Sequence, residues 1–378
     1  RLLYRYLMKI FTSLARLAFG LTIIFAPLRW RILLLARPNP PVYGDYTDFL
    51  LFASDILITL TLTFWVVSPP FSFSSLKRGP AYVWLPLVLL TLAACVSVFF
   101  SDDRALSEHH ALRLLMLLGF YFYIVNEIKS LTWVVIPMGL SLALQTFVAL
   151  GQSLTQASIG WQGLGERALD PAQSGVSVVV ADGVRFLRAY GLTDHPNILG
   201  GCLAFGLVLL LAVFVYGDEK YFWHGLRNRQ MDAEKNLKSA FIRVIPRPVY
   251  IFAALIFIPS LLALVLTFSR SGWVAFVGGS LLIVTLEAGR RNWPGLKRVA
   301  LLAVVSAVVV IPLVWNLGPF FGVRLNRGQS FVSSPTESLS LNERVFVIMA
   351  ANQIFVDHSL TGIGLAAVKL FAQEGARL

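Results

Sequence analysis

The sequence predicts an all-α protein, a polytopic bundle of transmembrane helices. Three observations carry the fold class. Of 378 residues, 57% are hydrophobic and only 14% are charged, with a mean hydropathy of +0.72; a water-soluble domain carries about a quarter charged residues. Nine stretches read as long and apolar enough to cross the hydrocarbon core, which takes about 17–25 helical residues. Their apolar runs do not alternate with period two, so helices rather than a closed barrel must satisfy the backbone in lipid.

The first predicted span is 10–28, preceded by Arg1, Arg5 and Lys9 and followed by Arg29, Arg31 and Arg37, a basic cluster that marks a weak first span or a short interfacial helix. The second, 48–67, contains Asp55. A carboxylate inside a span is costly, and this one reads as a helix–helix polar contact in preference to a proton path. Spans at 83–100, 112–126 and 130–150 follow, then a Gly-, Gln- and Ser-rich stretch at 151–194. The sixth span, 195–216, is entered through Asp194 and Pro196, a helix-start signal. After a mixed basic, acidic and aromatic loop at 217–248 come spans at 249–267, 273–289 and 299–316, the first two joined by a tight turn around Ser269–Gly272. Residues 1–316 thus form the bundle and 317–378 a large outer loop, with the closing spans expected to be missing from this chain.

Orientation follows from the bases, which accumulate in short cytoplasmic loops. With the N-terminus inside, Lys77, Arg78, Lys129, the seven bases from Lys220 to Arg247, and Arg290, Arg291, Lys297 and Arg298 all face the cytoplasm, where acids are few; the outer segments nearly balance. The net charge of +12 is therefore accounted for by topology and the inner leaflet, and no nucleic-acid partner is expected. Cys95 and Cys202 fall inside predicted spans and read as small packing residues. No Cys/His set has zinc spacing and no phosphate-binding glycine loop stands between a strand and a helix, so neither metal nor cofactor is expected.

Function is sought where polar residues interrupt this pattern. Arg270, in Thr267-Phe268-Ser269-Arg270-Ser271-Gly272-Trp273, stands between two apolar helices on the outer side, against the positive-inside trend. It reads either as a snorkelling arginine or as an anion ligand, and Ser269, Ser271 and Gly272 favour the second, since a guanidinium fork matches phosphate oxygens. Arg188-Ala189-Tyr190-Gly191-Leu192-Thr193-Asp194-His195-Pro196-Asn197 leads into the sixth span, and helix N-termini attract anions. There His195 reads as an interfacial hydrogen-bonding residue or as a proton acceptor, with Tyr190 and Asn197 beside it. Asn342-Glu343-Arg344 opens an amphipathic helix in the tail, and Asp357-His358-Ser359-Leu360-Thr361-Gly362-Ile363-Gly364 closes it with a glycine-hinged turn.

Taken in order, R-A-Y-G-L-T-D-H-P-N at 188–197, T-F-S-R-S-G-W at 267–273, and N-E-R-V-F-V-I-M-A with D-H-S-L-T-G-I-G over 342–364 resemble the O-antigen ligase and polymerase superfamily of bacterial envelope glycosyltransferases. The resemblance implies a GT-C-like, metal-independent, inverting enzyme in the bacterial cytoplasmic (inner) membrane. Such an enzyme moves a glycan from an undecaprenyl-pyrophosphate carrier to a lipid A–core, glycan or protein acceptor at the outer face. It also implies catalytic roles for Arg188, Arg270 and Arg344 on the pyrophosphate; His195 and His358 are the alternatives for an acceptor base, and Ser269, Ser271, Asn197, Tyr190 and His358 are read as lying around the substrate. The family's proposed base, a histidine in an H-N-x-Y-L pattern further along the outer loop, has no counterpart after His358. Two alternatives follow: a polysaccharide or polar-lipid transporter or flippase using the same arginines, and a truncated, non-catalytic family member.

Overall fold

The structure is a computed structural model that describes residues 2–38, 47–68, 73–216, 247–325, 335–359 and 362–364; within these, the side chains of 2–7, 73, 216, 247–250, 335–344 and 346 are outside the description. The chain is an all-α polytopic membrane protein with two small hairpins. Helices α1 (Leu2–Phe25), α2 (Ala53–Val67), α3 (Ala81–Ser97), α4 (Arg104–Glu127), α5 (Thr132–Thr155), α6 (Pro196–Tyr216), α7 (Arg247–Leu266), α8 (Arg270–Gly289) and α9 (Trp293–Asn316) coincide with the nine apolar stretches. A short α10 (Gly318–Leu325) and α11 (Pro335–Asp357) follow. Among the described residues six helices are long and apolar enough to cross a membrane: α1, α3, α5, α6, α8 and α9. The apolar part of α2, and Ile251–Leu266 of α7, are shorter, and α4 carries Arg104, Glu108, His109, His110 and Arg113 in its first three turns.

Two compact units divide the chain. The first comprises 1–22, 31–128 and 329–378, the second 23–30 and 129–328. In the first unit α4 packs on α2 and α3, and the fully buried Tyr123 packs against Phe19, Phe120 and Trp65. The basic stretch after α1 is not an interfacial helix. Its Arg31–Leu35 is a strand (β1) paired antiparallel with Phe49–Phe52 (β2), because two short runs of branched and aromatic residues can close a ladder between spans that a single polar turn of helix could not. Pairing of β2 delays the start of α2 to Ala53, so Asp55 lies in the first turn of α2 rather than deep within a span. Its carboxylate accepts the Phe52 amide (3.1 Å) and pairs with Arg113 of α4 at 3.2 Å, a helix–helix polar contact.

The C-terminal turn also packs in this unit. Gly364 (φ +90°) lies against Ser101 and Ser107 at the start of α4, so closely that an added Cβ would overlap both hydroxyl groups. Those two hydroxyls are hydrogen-bonded to each other at 2.6 Å, and Asp103 caps α4 while pairing with Arg37 at 2.9 Å.

In the second unit α6 is the centre. It is apolar on every face, which marks a helix enclosed by others, and 61% of its span is buried against 6% for α9. Leu199, Leu203, Leu207 and Leu210 form its fully buried stripe, with α5, α7, α8 and α9 around it. Close approach of α6 to α8 needs two glycines. A Cβ on Gly272 would stand 3.0 Å from the Gly200 carbonyl carbon, and one on Gly200 would stand 2.7 Å from the Ser269 Cβ. The second hairpin, β3 (Val178–Ala181) with β4 (Val184–Leu187), is built from the outer loop and is antiparallel. It brings Phe186 and Val179 onto Phe268 and α10 at the end of the unit where α6 begins and α7 ends.

Candidate functional site

Two of the three motifs meet in the second unit, and glutamines of α5 begin the arrangement. Gln145 and Gln152, seven residues apart, share one helix face and are buried. The Gln152 side-chain oxygen accepts the amides of Tyr190 (3.1 Å) and Gly191 (2.9 Å), and that of Gln145 accepts the Leu192 amide at 2.8 Å. The Gln152 amide group donates to the Gly191 carbonyl and to buried Glu166, whose carboxylate also takes the amides of Ile159 and Trp161. A stretch with no regular backbone partners is thereby satisfied inside the protein, as buried backbone groups require.

Arg188 projects from this stretch and is 4% exposed. Its guanidinium donates to the Thr267 carbonyl (2.8 Å), Ser177 Oγ (2.8 Å), Asn197 Oδ1 (2.7 Å) and the Phe268 carbonyl (3.4 Å). One buried cation thus ties the 188–197 segment to the 267–273 turn. The Ala189 amide, donating to the Leu266 carbonyl at 3.0 Å, adds a backbone link.

The turn is strained, with Thr267, Phe268 and Ser269 buried and Ser271 exposed. Phe268 adopts φ +49°, a left-handed conformation that a non-glycine residue holds only when its surroundings impose it. Thr267 Oγ1 donates to Leu264 O and accepts the Ser269 amide. Ser269 caps α8, its hydroxyl accepting the Gly272 amide at 3.3 Å and lying 3.2 Å from the Ser271 hydroxyl. Arg270, the first residue of α8, is half-buried and donates to the Arg324 carbonyl at 3.4 Å. Arg324, in the last turn of α10, donates from Nε to the Phe268 carbonyl at 3.0 Å. Three arginines, at positions 188, 270 and 324, therefore surround one turn of backbone at the N-terminus of α8.

Of the residues that the sequence singles out, Arg188, Asn197, Ser269, Arg270 and Ser271 are brought together. Tyr190 and Ser269, read as substrate contacts, are instead fully buried with their oxygens engaged inside: the Tyr190 hydroxyl accepts the Ser177 amide at 2.7 Å, and burial pushes its phenol above the usual range. His195 Nδ1 accepts the Asn197 amide at 3.1 Å. That bond holds the ring at the start of α6. Asp194 beside it pairs with Arg29. Arg344 lies in α11, with Asn342 and Glu343, and their side chains are outside the described residues. His358 is exposed at the end of α11, its carbonyl accepting the Gly362 amide at 2.9 Å. Among the described residues no three His, Cys, Asp or Glu side chains cluster as metal ligands would.

Sequence reasoning missed Arg324, Gln152 and Glu166. The seven-residue spacing of Gln145 and Gln152 was a usable signal, since two amides repeat on one face of an apolar helix. Arg324 offered only its place after Phe320 and Phe321, and Glu166 offered none.

The O-antigen ligase family profile matches residues 255–377, about the last third of the chain. That stretch contains the 267–273 turn, Arg324, Arg344 and the 357–364 turn, while the 188–197 segment lies outside it and is joined to it by Arg188. No curated protein and no solved structure matches the chain. Over residues 255–377, on a scaffold of apolar helices long enough to cross a membrane, the chain is similar to the O-antigen ligase family.

Proposed function

We propose that the protein transfers a glycan from an undecaprenyl-pyrophosphate carrier to a lipid, glycan or protein acceptor at the outer face of the bacterial cytoplasmic membrane, by metal-independent inversion. The single observation that carries this reading is the convergence of Arg188, Arg270 and Arg324 on the turn that starts α8, within the stretch that matches the ligase family. An acceptor hydroxyl attacks the anomeric carbon, its C–O bond forms as the sugar–phosphate C–O bond breaks, the electron pair leaves with the diphosphate, and the hydroxyl proton is released to the departing diphosphate or to water. That leaving group already carries its charge well, so fixed positive groups aimed at it matter more than a proton donor. Arg270 supplies the fork, backed by the N-terminal end of α8, and the family resemblance gives Arg344 a catalytic role as well. Arg188 acts through position: it holds the turn and is itself enclosed. In this topology the N-terminus and the 217–248 loop face the cytoplasm, and 151–194 and 317–378 lie outside.

The Asp55–Arg113 pair removes the carboxylate on which a transport path would most readily have been built, and no further observation favours a transporter. The test is transfer in cells lacking their own copy of the enzyme. Arg270→Ala lowers glycan transfer by a factor of about 10²–10³, the usual effect of losing one charge-stabilising donor, with unchanged amounts of protein in the membrane. Full transfer by both Arg270→Ala and Arg344→Ala would sink the reading.

A further inference from the structure

Resting on the diphosphate reading above, we infer that Arg324 is a second guanidinium of the anion grip, working beside Arg270, in a place that the three sequence motifs leave unassigned. Four observations lead there. Arg324 is fixed from below: Phe321, one turn earlier on α10, is buried, lies 4.8 Å from the Phe268 ring and stacks on Trp273 at 5.6 Å and 28°. Phe320 on the same helix meets Phe186 of β4 at 5.1 Å. The 267–273 turn and β4 thus hold α10 as an aromatic platform, and the arginine it carries does not wander.

Arg324 is also adjacent to Arg270, although the two are 54 positions apart, because the Arg270 guanidinium reaches the Arg324 carbonyl at 3.4 Å. The inner edge of the Arg324 fork is committed, Nε donating to the Phe268 carbonyl at 3.0 Å. This bond orients the terminal nitrogens, the pair whose spacing suits two oxygens of one phosphate. Finally, Arg324 is half-buried rather than enclosed, in contrast to Arg188 at 4% exposure.

Three guanidinium groups at one turn of backbone raise the local positive potential, and such a concentration draws an anion of matching charge. A monophosphate is satisfied by one fork. A diphosphate presents two phosphoryl groups and a larger charge, and two neighbouring forks on a braced turn match it. The ligand class is therefore an organic diphosphate, one phosphoryl group facing Arg270 and the other Arg324.

The experiment uses the chain in lipid nanodiscs with inorganic pyrophosphate as the probe, followed by calorimetry and by transfer kinetics with a lipid-diphosphate glycan donor. Arg324→Gln weakens pyrophosphate binding about ten- to a hundredfold, the loss of one charge-assisted contact. It raises the donor KM with it, and Arg324→Lys recovers part of the affinity. A second measurement needs no variant: phenylglyoxal modification of the wild-type chain, read residue by residue by mass spectrometry, is slowed at Arg270 and Arg324 together by saturating pyrophosphate. If Arg270→Gln loses pyrophosphate binding while Arg324→Gln keeps it, or if Arg324 is modified equally fast with and without pyrophosphate while Arg270 is protected, the assignment of Arg324 is wrong and the proposed function stands. If neither variant changes binding and neither residue is protected, the diphosphate reading itself falls.

Discussion

Arg188 and Arg270 are both arginines of outer motifs, and burial separates their work. Arg188 gives its hydrogen bonds to two carbonyls, a hydroxyl and an amide oxygen inside the protein. Truncating such a group leaves buried acceptors unpaired, so Arg188→Ala destabilises the second unit by about 3–5 kcal/mol, read as a lower thermal midpoint in detergent and less folded protein in the membrane. Arg270→Ala leaves the stability within about 0.5 kcal/mol of wild type, as half-exposed sites usually do, and removes activity instead. Both residues oppose the positive-inside trend, and sequence alone does not separate them. The acceptors of Arg188 come from positions up to 80 residues away, and only folding reveals that they are occupied. The same blindness explains Tyr190 and His195: both are polar residues beside a helix start, and their engaged atoms are set by Ser177 and Asn197.

Helices are the most legible part of the chain. Each of the nine apolar stretches is a helix because the composition leaves the backbone no other way to meet its hydrogen bonds in lipid. Their ends are less legible. The second span loses its first residues to β2, since Phe49–Phe52 has the same apolar character as the helix it precedes and only its pairing with Arg31–Leu35 distinguishes it. The β3–β4 hairpin is hidden for a similar reason, being four residues on each side of a two-residue turn in a loop of mixed composition. Packing between α6 and α8 depends on Gly200 and Gly272, whose backbones touch. Gly272→Val forces this pair apart and costs about 1–3 kcal/mol, the usual effect of overfilling a tight contact. The thermal midpoint falls and the Ser269 cap is displaced with it, so donor affinity falls too. Gly278→Val, on the same helix but with open space around it, leaves both unchanged.

For the whole molecule, orientation is the property that the bases predict and on which the proposed chemistry depends. Reporter fusions within Ser269–Gly272 and within 217–248 should read opposite sides of the membrane, the first outside. A cytoplasmic 269–272 would place the arginines away from any glycan assembled on the outer leaflet. The fold class and the resemblance to the ligase family are legible in the amino-acid sequence because both rest on patterns that composition and local order preserve. The joining of 188–197 to 267–273 is not, because it is made by single long-range bonds. One consequence reaches beyond stability. The Phe268 carbonyl receives N–H groups from both Arg188 and Arg324, which weakens its double-bond character. A carbon-13 label at that position would therefore vibrate at lower frequency in the infrared than the carbonyls of the surrounding helices, a native optical probe of the turn that needs no dye and no substitution.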